Sequence, residues 1–124
     1  MQPKELAAIL TSAGSRKPVI LHVGFNVLFR SHRIPKSIYA GPGANQEGRD
    51  LLRSAVAALP KDGEIVIYCG CCPWSHCPNM KPAIDVLHAL GFQHVRALMI
   101  ETNLSRDWIQ AGYPTESVPG GPPL

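Results

Sequence analysis

The chain has 124 residues, 45% of them hydrophobic and 17% charged, with a formal net charge of +3 and a pI near 8.8. Size and balance fit one domain with its own core and exclude a disordered chain. The small basic excess is scattered from Lys4 to Arg106, unlike the concentrated cationic face of a nucleic-acid binder, so no nucleic acid is expected as a partner.

No apolar run has the length of a membrane span, so no membrane partner is expected either. The opening Met1-Gln2-Pro3-Lys4-Glu5 lacks the basic-then-apolar pattern of a signal peptide. These features lead us to expect a soluble cytoplasmic protein, or a periplasmic one if a signal peptide has been removed.

Pro3 to Leu10 reads as a short helix, with Leu6, Ile9 and Leu10 on one face and Gly14 as its stop. Pro18 to Val23 is short, apolar and β-branched, the profile of a buried parallel strand. Gly24 to Ser37 is polar and mixed and reads as connection, and Ser37 to Ala40 as a second short strand. Glu47 to Leu59 carries Leu51, Leu52, Ala55, Val56 and Leu59 at helical spacing, and Pro60 and Gly63 follow as breakers.

Glu64 to Cys69 is the strongest strand signal in the chain, and the loop Gly70 to Pro78 follows it. Asn79 is the expected N-cap of a helix running to about Leu90, with Gly91 as its stop. His94 to Met99 reads as a strand and Asp107 to Ala111 as a short helix. We expect a single domain over residues 1–116 and a flexible Pro/Gly-rich tail over 117–124. Helices alternating with apolar strands predict an α/β domain with a mostly parallel sheet. Ligands bind such sheets beyond the carboxyl ends of the strands, where the Cys69 loop leaves.

All four cysteines, Cys69, Cys71, Cys72 and Cys77, lie within nine residues. A disulfide scaffold spreads its cysteines to join distant segments, so this cluster points to chemistry, metal binding or redox function. A thiol between a strand end and a helix start meets backbone N–H donors and a positive helix end, which favour the nucleophilic thiolate. Gly70 permits a tight turn, and His76 and Lys81 add positive charge when protonated.

The loop suits sulfur transfer through a cysteine persulfide. It also suits a thiol-disulfide cycle between Cys72 and Cys77. A third reading is soft-metal binding, of copper(I) or zinc, by Cys69, Cys71, Cys72 and Cys77. A fourth is an interaction domain that keeps the fold without activity. Six positions after each cysteine stand Ser75, Cys77, Pro78 and Ala83, so the Cys-x5-Arg loop of phosphate-ester chemistry is absent.

The sequence resembles the rhodanese family over about Pro3 to Glu116. Val19 to Val23 falls where the family has a strand ending in Asp-Val-Arg, with His22 and Gly24 in place of the Asp and Arg. Arg33-Ile34-Pro35-Lys36-Ser37 is similar to the family's His-Ile-Pro-Gly-Ala. Ile65 to Cys69 is similar to the strand that ends in its nucleophilic cysteine. Leu90 to Val95 and Trp108 to Pro114 match the closing segments, while Asn103-Leu104 stand where the family has Gly-Gly.

The resemblance implies a three-layer rhodanese-like α/β fold, a mostly parallel sheet flanked by helices, and a sulfurtransferase acting without a cofactor. Thiosulfate or a persulfide would donate sulfur, and a small or protein thiol would accept it. By position the nucleophile is Cys69, with Cys72 as the alternative nucleophile or resolving thiol, and Gly70, Cys71, His76, Cys77 and Lys81 as auxiliary residues. The loop is longer than the family's, lacks its arginine, and holds Pro73 and Pro78, which supply no N–H.

Overall fold

The computed structural model describes residues 1–12, 17–70 and 73–116. Gly14, Cys71, Cys72 and the tail 117–124 lie outside the described residues. The elements run α1 (Pro3–Thr11), β1 (Val19–His22), α2 (Asn26–Ser31), β2 (Ile38–Tyr39), α3 (Gln46–Val56), β3 (Glu64–Tyr68), α4 (Met80–Ala89) and β4 (His94–Ala97), then one wide helical turn over Ser105–Ile109. The strands form one sheet in the order β2-β1-β3-β4, with every pairing parallel.

Strand alternation divides the core into two layers. Leu21, Ile65 and Ile67 turn toward Leu52 and Val56 of α3 and Ala83 and Leu87 of α4. Ile20, Val66 and Tyr68 turn the other way, toward Leu6 and Ala7 of α1, Ile34 and Trp108. β1 and β3 are therefore covered on both faces, which explains their unbroken apolar runs. Burying each large side chain contributes about 1.5–3 kcal/mol.

Two local features depart from the sequence expectations. The connection after Gly24 contains α2, a helix of six residues with none buried. With no residue buried, it leaves no apolar stripe in the sequence. Asn79 precedes α4 in helical backbone and makes no side-chain cap bond. Its amide is used elsewhere, as described below. Asn45 is the residue whose side chain caps a helix, accepting the Gly48 N–H at 2.8 Å.

Lys36 adopts φ +62°, a left-handed backbone that costs a residue with a Cβ about 1–2 kcal/mol. It occupies the position that is glycine in the motif it resembles. Its N–H donates to Glu116 Oε1 at 2.8 Å, and the same carboxylate pairs with Arg33 at 3.2 Å. This tie closes the domain, with Arg33 and Glu116 also bridged through their backbones.

Gly48 lies in α3, yet a Cβ there would fall 1.7 Å from the Pro42 carbonyl oxygen. Alanine normally improves a helix over glycine by up to about 1 kcal/mol. Here Gly48→Ala should reverse that sign and destabilise the domain by about 3 kcal/mol, because the obstacle is backbone. Urea denaturation of the variant checks this; an unchanged or raised midpoint contradicts the packing described.

Candidate functional site

β3 ends at Tyr68, and Cys69 follows at the carboxyl edge of the sheet, 3% exposed. Its sulfur is bounded on one side by Gly24. A Cβ at Gly24 would lie 2.9 Å from Cys69 Sγ and 3.0 Å from His22 Cε1. Only a residue without a side chain lets the thiol and the imidazole approach this closely. Gly24 is held by both backbone groups: its N–H donates to His22 Nδ1 at 3.2 Å, and its carbonyl accepts from Tyr39 Oη at 3.0 Å.

Asn79 supplies a donor to the thiol. Its Oδ1 accepts the Ala44 N–H at 3.0 Å, which turns Nδ2 toward Cys69 Sγ at 3.6 Å. Gly43 fits against the Asn79 backbone, where a Cβ would sit 2.2 Å from the carbonyl oxygen. The amide orientation thus follows from contacts with the segment before α3. An N–H aimed at sulfur favours the thiolate over the thiol. In sequence Asn79 signals a helix cap, and nothing in that signal separates capping from this contact.

His22 is fully buried at the end of β1, in register between Tyr39 and Tyr68. Its ring meets Tyr68 edge-on at 4.8 Å and Phe29 edge-on at 5.5 Å between centroids. Because Nδ1 accepts from Gly24, a neutral ring carries its proton on Nε2. That nitrogen has no hydrogen-bond partner. A buried N–H without an acceptor costs about 1–3 kcal/mol. The Cβ position of Gly70 lies 3.6 Å from Nε2.

The sequence-nominated residues separate into groups. Cys69, Gly70 and Cys77 lie at the sheet edge, with Cys77 buried in the same apolar layer as Cys69. Cys71 and Cys72 lie outside the described residues. His76 is exposed, with Nδ1 2.9 Å from Ser75 Oγ. Lys81 is 84% exposed and pairs with Asp85 at 3.2 Å, so its charge is directed along the outer face of α4. Trp74 packs against the α3–α4 layer, and its N–H donates to the Ile100 carbonyl at 2.8 Å. The Gly70 carbonyl accepts from Leu104 N–H at 3.2 Å. These two bonds tie Gly70 and Trp74 to the segment after β4.

Among the described residues, no group of three or more His, Cys, Asp or Glu side chains is placed to hold a metal ion. After β1, Arg33 lies over the Phe29 ring at 4.5 Å and pairs with Glu116. Phe25 is half exposed, and Phe29 packs on His22. Among the described residues, no helix is long and apolar enough to cross a membrane.

Burial lowers the His22 pKa from 6.5 to about 4. Between these values the unfolded chain binds more protons than the folded one, so stability falls as pH drops from 6.5 toward 4. The slope reaches at most about 1.4 kcal/mol per pH unit. Glu116 is held below its ordinary 4.5 by the Lys36 N–H and by Arg33, so its contribution is lost only under more acid conditions. Urea midpoints measured from about pH 6.5 to about pH 5 should therefore decline, and His22→Asn should flatten the decline. An equal slope in both proteins would contradict a neutral buried His22.

No family profile matches the chain, and no curated protein sequence matches it. Solved structures do. The rhodanese-like domain of the Alr3790 protein from Anabaena sp. aligns with 100% of this chain and 83% of its own, at TM-score 0.71 and 22% identity. The BH2092 protein from Bacillus halodurans aligns with 94% of this chain and 75% of its own, at TM-score 0.70 and 18% identity. A thiosulfate sulfurtransferase from Pseudomonas aeruginosa aligns with 97% of this chain but 19% of its own, at TM-score 0.65 and 23% identity. With its parallel sheet flanked by helices, the chain has the rhodanese-like fold.

Proposed function

We propose that the protein is a sulfurtransferase that carries sulfane sulfur as a persulfide on Cys69. The observation that carries this reading is the place of the thiol: at the carboxyl end of a central strand, against Gly24, with the Asn79 amide donating to it. A thiolate so placed attacks the outer sulfur of a donor. With thiosulfate, the Cys69 S–S bond forms as the donor S–S bond breaks, and sulfite leaves with the electron pair. With a small persulfide the leaving group is a thiolate. In the second half, an acceptor thiolate attacks the outer sulfur and Cys69 leaves as thiolate. No net oxidation occurs and the enzyme is regenerated.

Cys72 would be the resolving thiol or, in its absence from that role, a rival nucleophile. Gly70 would let the chain turn beside the thiol. Cys71, His76, Cys77 and Lys81 would be auxiliary residues. Thiosulfate or a persulfide is the proposed donor, and a small thiol or a protein thiol is the proposed acceptor.

Intact mass of the reduced, metal-free protein after treatment with thiosulfate or glutathione persulfide tests this reading. The wild type should gain one sulfur. Cys69→Ser should lose that gain and Cys72→Ser should keep it. A loss of two hydrogens without added sulfur would replace the reading with a thiol-disulfide one. No change with either donor would refute sulfur transfer from these donors.

A further inference from the structure

We propose that His22 is a ligand of the sulfur carried on Cys69, its Nε2–H donating to the terminal sulfur of the persulfide. The inference rests on the sulfur-transfer reading and extends it to a residue that the sequence pattern does not assign.

Three observations support it. First, His22 Nε2 is fully buried and without a hydrogen-bond partner, while Nδ1 is occupied by the Gly24 N–H. The fold thus fixes the tautomer and leaves one donor unused. Second, that donor lies beside the thiol's loop. The Cβ position of Gly24 is 3.0 Å from His22 Cε1 and 2.9 Å from Cys69 Sγ, and that of Gly70 is 3.6 Å from Nε2. Adding an outer sulfur extends the thiol by about 2 Å. Sγ and Cε1 lie less than about 6 Å apart, flanking the same Gly24 position, so an outer sulfur can close part of that gap.

Third, several described donors around the loop are committed. The Trp74 N–H is bound to Ile100, the His76 N–H to Pro73, and the Met80 N–H to Cys77. Pro73 and Pro78 have none. Lys81 is paired on the outer helix face. Asn79 Nδ2 faces the inner sulfur. The charge of a persulfide resides on its outer sulfur, and His22 Nε2 is a buried donor without an acceptor. The aromatic rings of Tyr68, Tyr39 and Phe29 keep the imidazole in place and exclude water, so the bond acts in a low-dielectric surrounding.

The test is the equilibrium between protein and glutathione: Cys69 thiolate plus glutathione persulfide gives Cys69 persulfide plus glutathione thiolate. Fractions are read by intact mass at defined ratios of the two glutathione forms. His22→Asn keeps an acceptor for the Gly24 N–H and removes the far donor; His22→Gln restores a donor near the Nε2 position. The equilibrium constant should fall about tenfold in His22→Asn, the size expected of one bond to a charged sulfur. It should recover at least in part in His22→Gln.

Imidazole ¹⁵N–¹H spectra of the wild type provide a readout that needs no variant. The His22 Nε2–H resonance should move downfield on persulfidation. An unmoved resonance at full sulfur occupancy would overturn the proposal, as would an unchanged equilibrium in a folded His22→Asn. If the wild type takes up no sulfur on Cys69, the underlying sulfur-transfer reading fails, and this inference fails with it. Sulfur uptake with an indifferent His22 overturns the inference alone.

Discussion

Parallel pairing of β1 with β3 sets His22 beside Tyr68, and the chain then needs a residue without a side chain at Gly24. The site depends on that close approach. The imidazole and the thiol each come within about 3 Å of the space a methyl would fill. Tyr39 Oη and His22 Nδ1 hold Gly24 by its two backbone groups, so the aromatic residues of the neighbouring strand take part in positioning the thiol. A larger residue at Gly24 would have to displace the sulfur or the ring.

The loop after the thiol is positioned from outside itself. The Gly70 carbonyl is held by Leu104, and the Trp74 N–H is held by Ile100. Asn79 is oriented by Ala44 and seated against Gly43. Two segments distant in sequence, one after β4 and one before α3, therefore set the geometry around one cysteine. Asp107 stabilises the segment that supplies Leu104: its Oδ2 accepts the N–H groups of Thr102 and Asn103, at 2.6 and 3.1 Å. The wide turn at 105–109 places Trp108 in the core, with Nε1 donating to the Pro114 carbonyl.

Among the described residues, buried polar side-chain atoms have hydrogen-bond partners, and His22 Nε2 is the exception. The buried Tyr68 hydroxyl accepts the Ile34 N–H at 3.2 Å and meets Ser37 Oγ at 3.0 Å, and burial raises its pKa to about 12. It remains a neutral, fully used group. His22 is equally buried and equally neutral, yet it keeps a donor without an acceptor. A cost of this kind is tolerated where a site is incomplete without its ligand.

The sequence by itself determined the α/β class, the central strands, and the strand that delivers Cys69. Runs such as Ile65-Val66-Ile67-Tyr68 are apolar because both sheet faces are covered, and that pattern is local. Tertiary structure alone decided the rest. Asn79 reads as a cap until Ala44 takes its oxygen, and Lys81 reads as a loop cation until Asp85 takes its charge. α2 carries no periodic signal because none of its residues is buried. His22 is one histidine at a strand end in sequence; that Gly24 occupies Nδ1 and leaves Nε2 without a partner is decided only when the sheet edge closes. Spacing along a chain encodes burial and turning, whereas the direction of a donor toward a sulfur is set by parts of the fold that meet only when it closes.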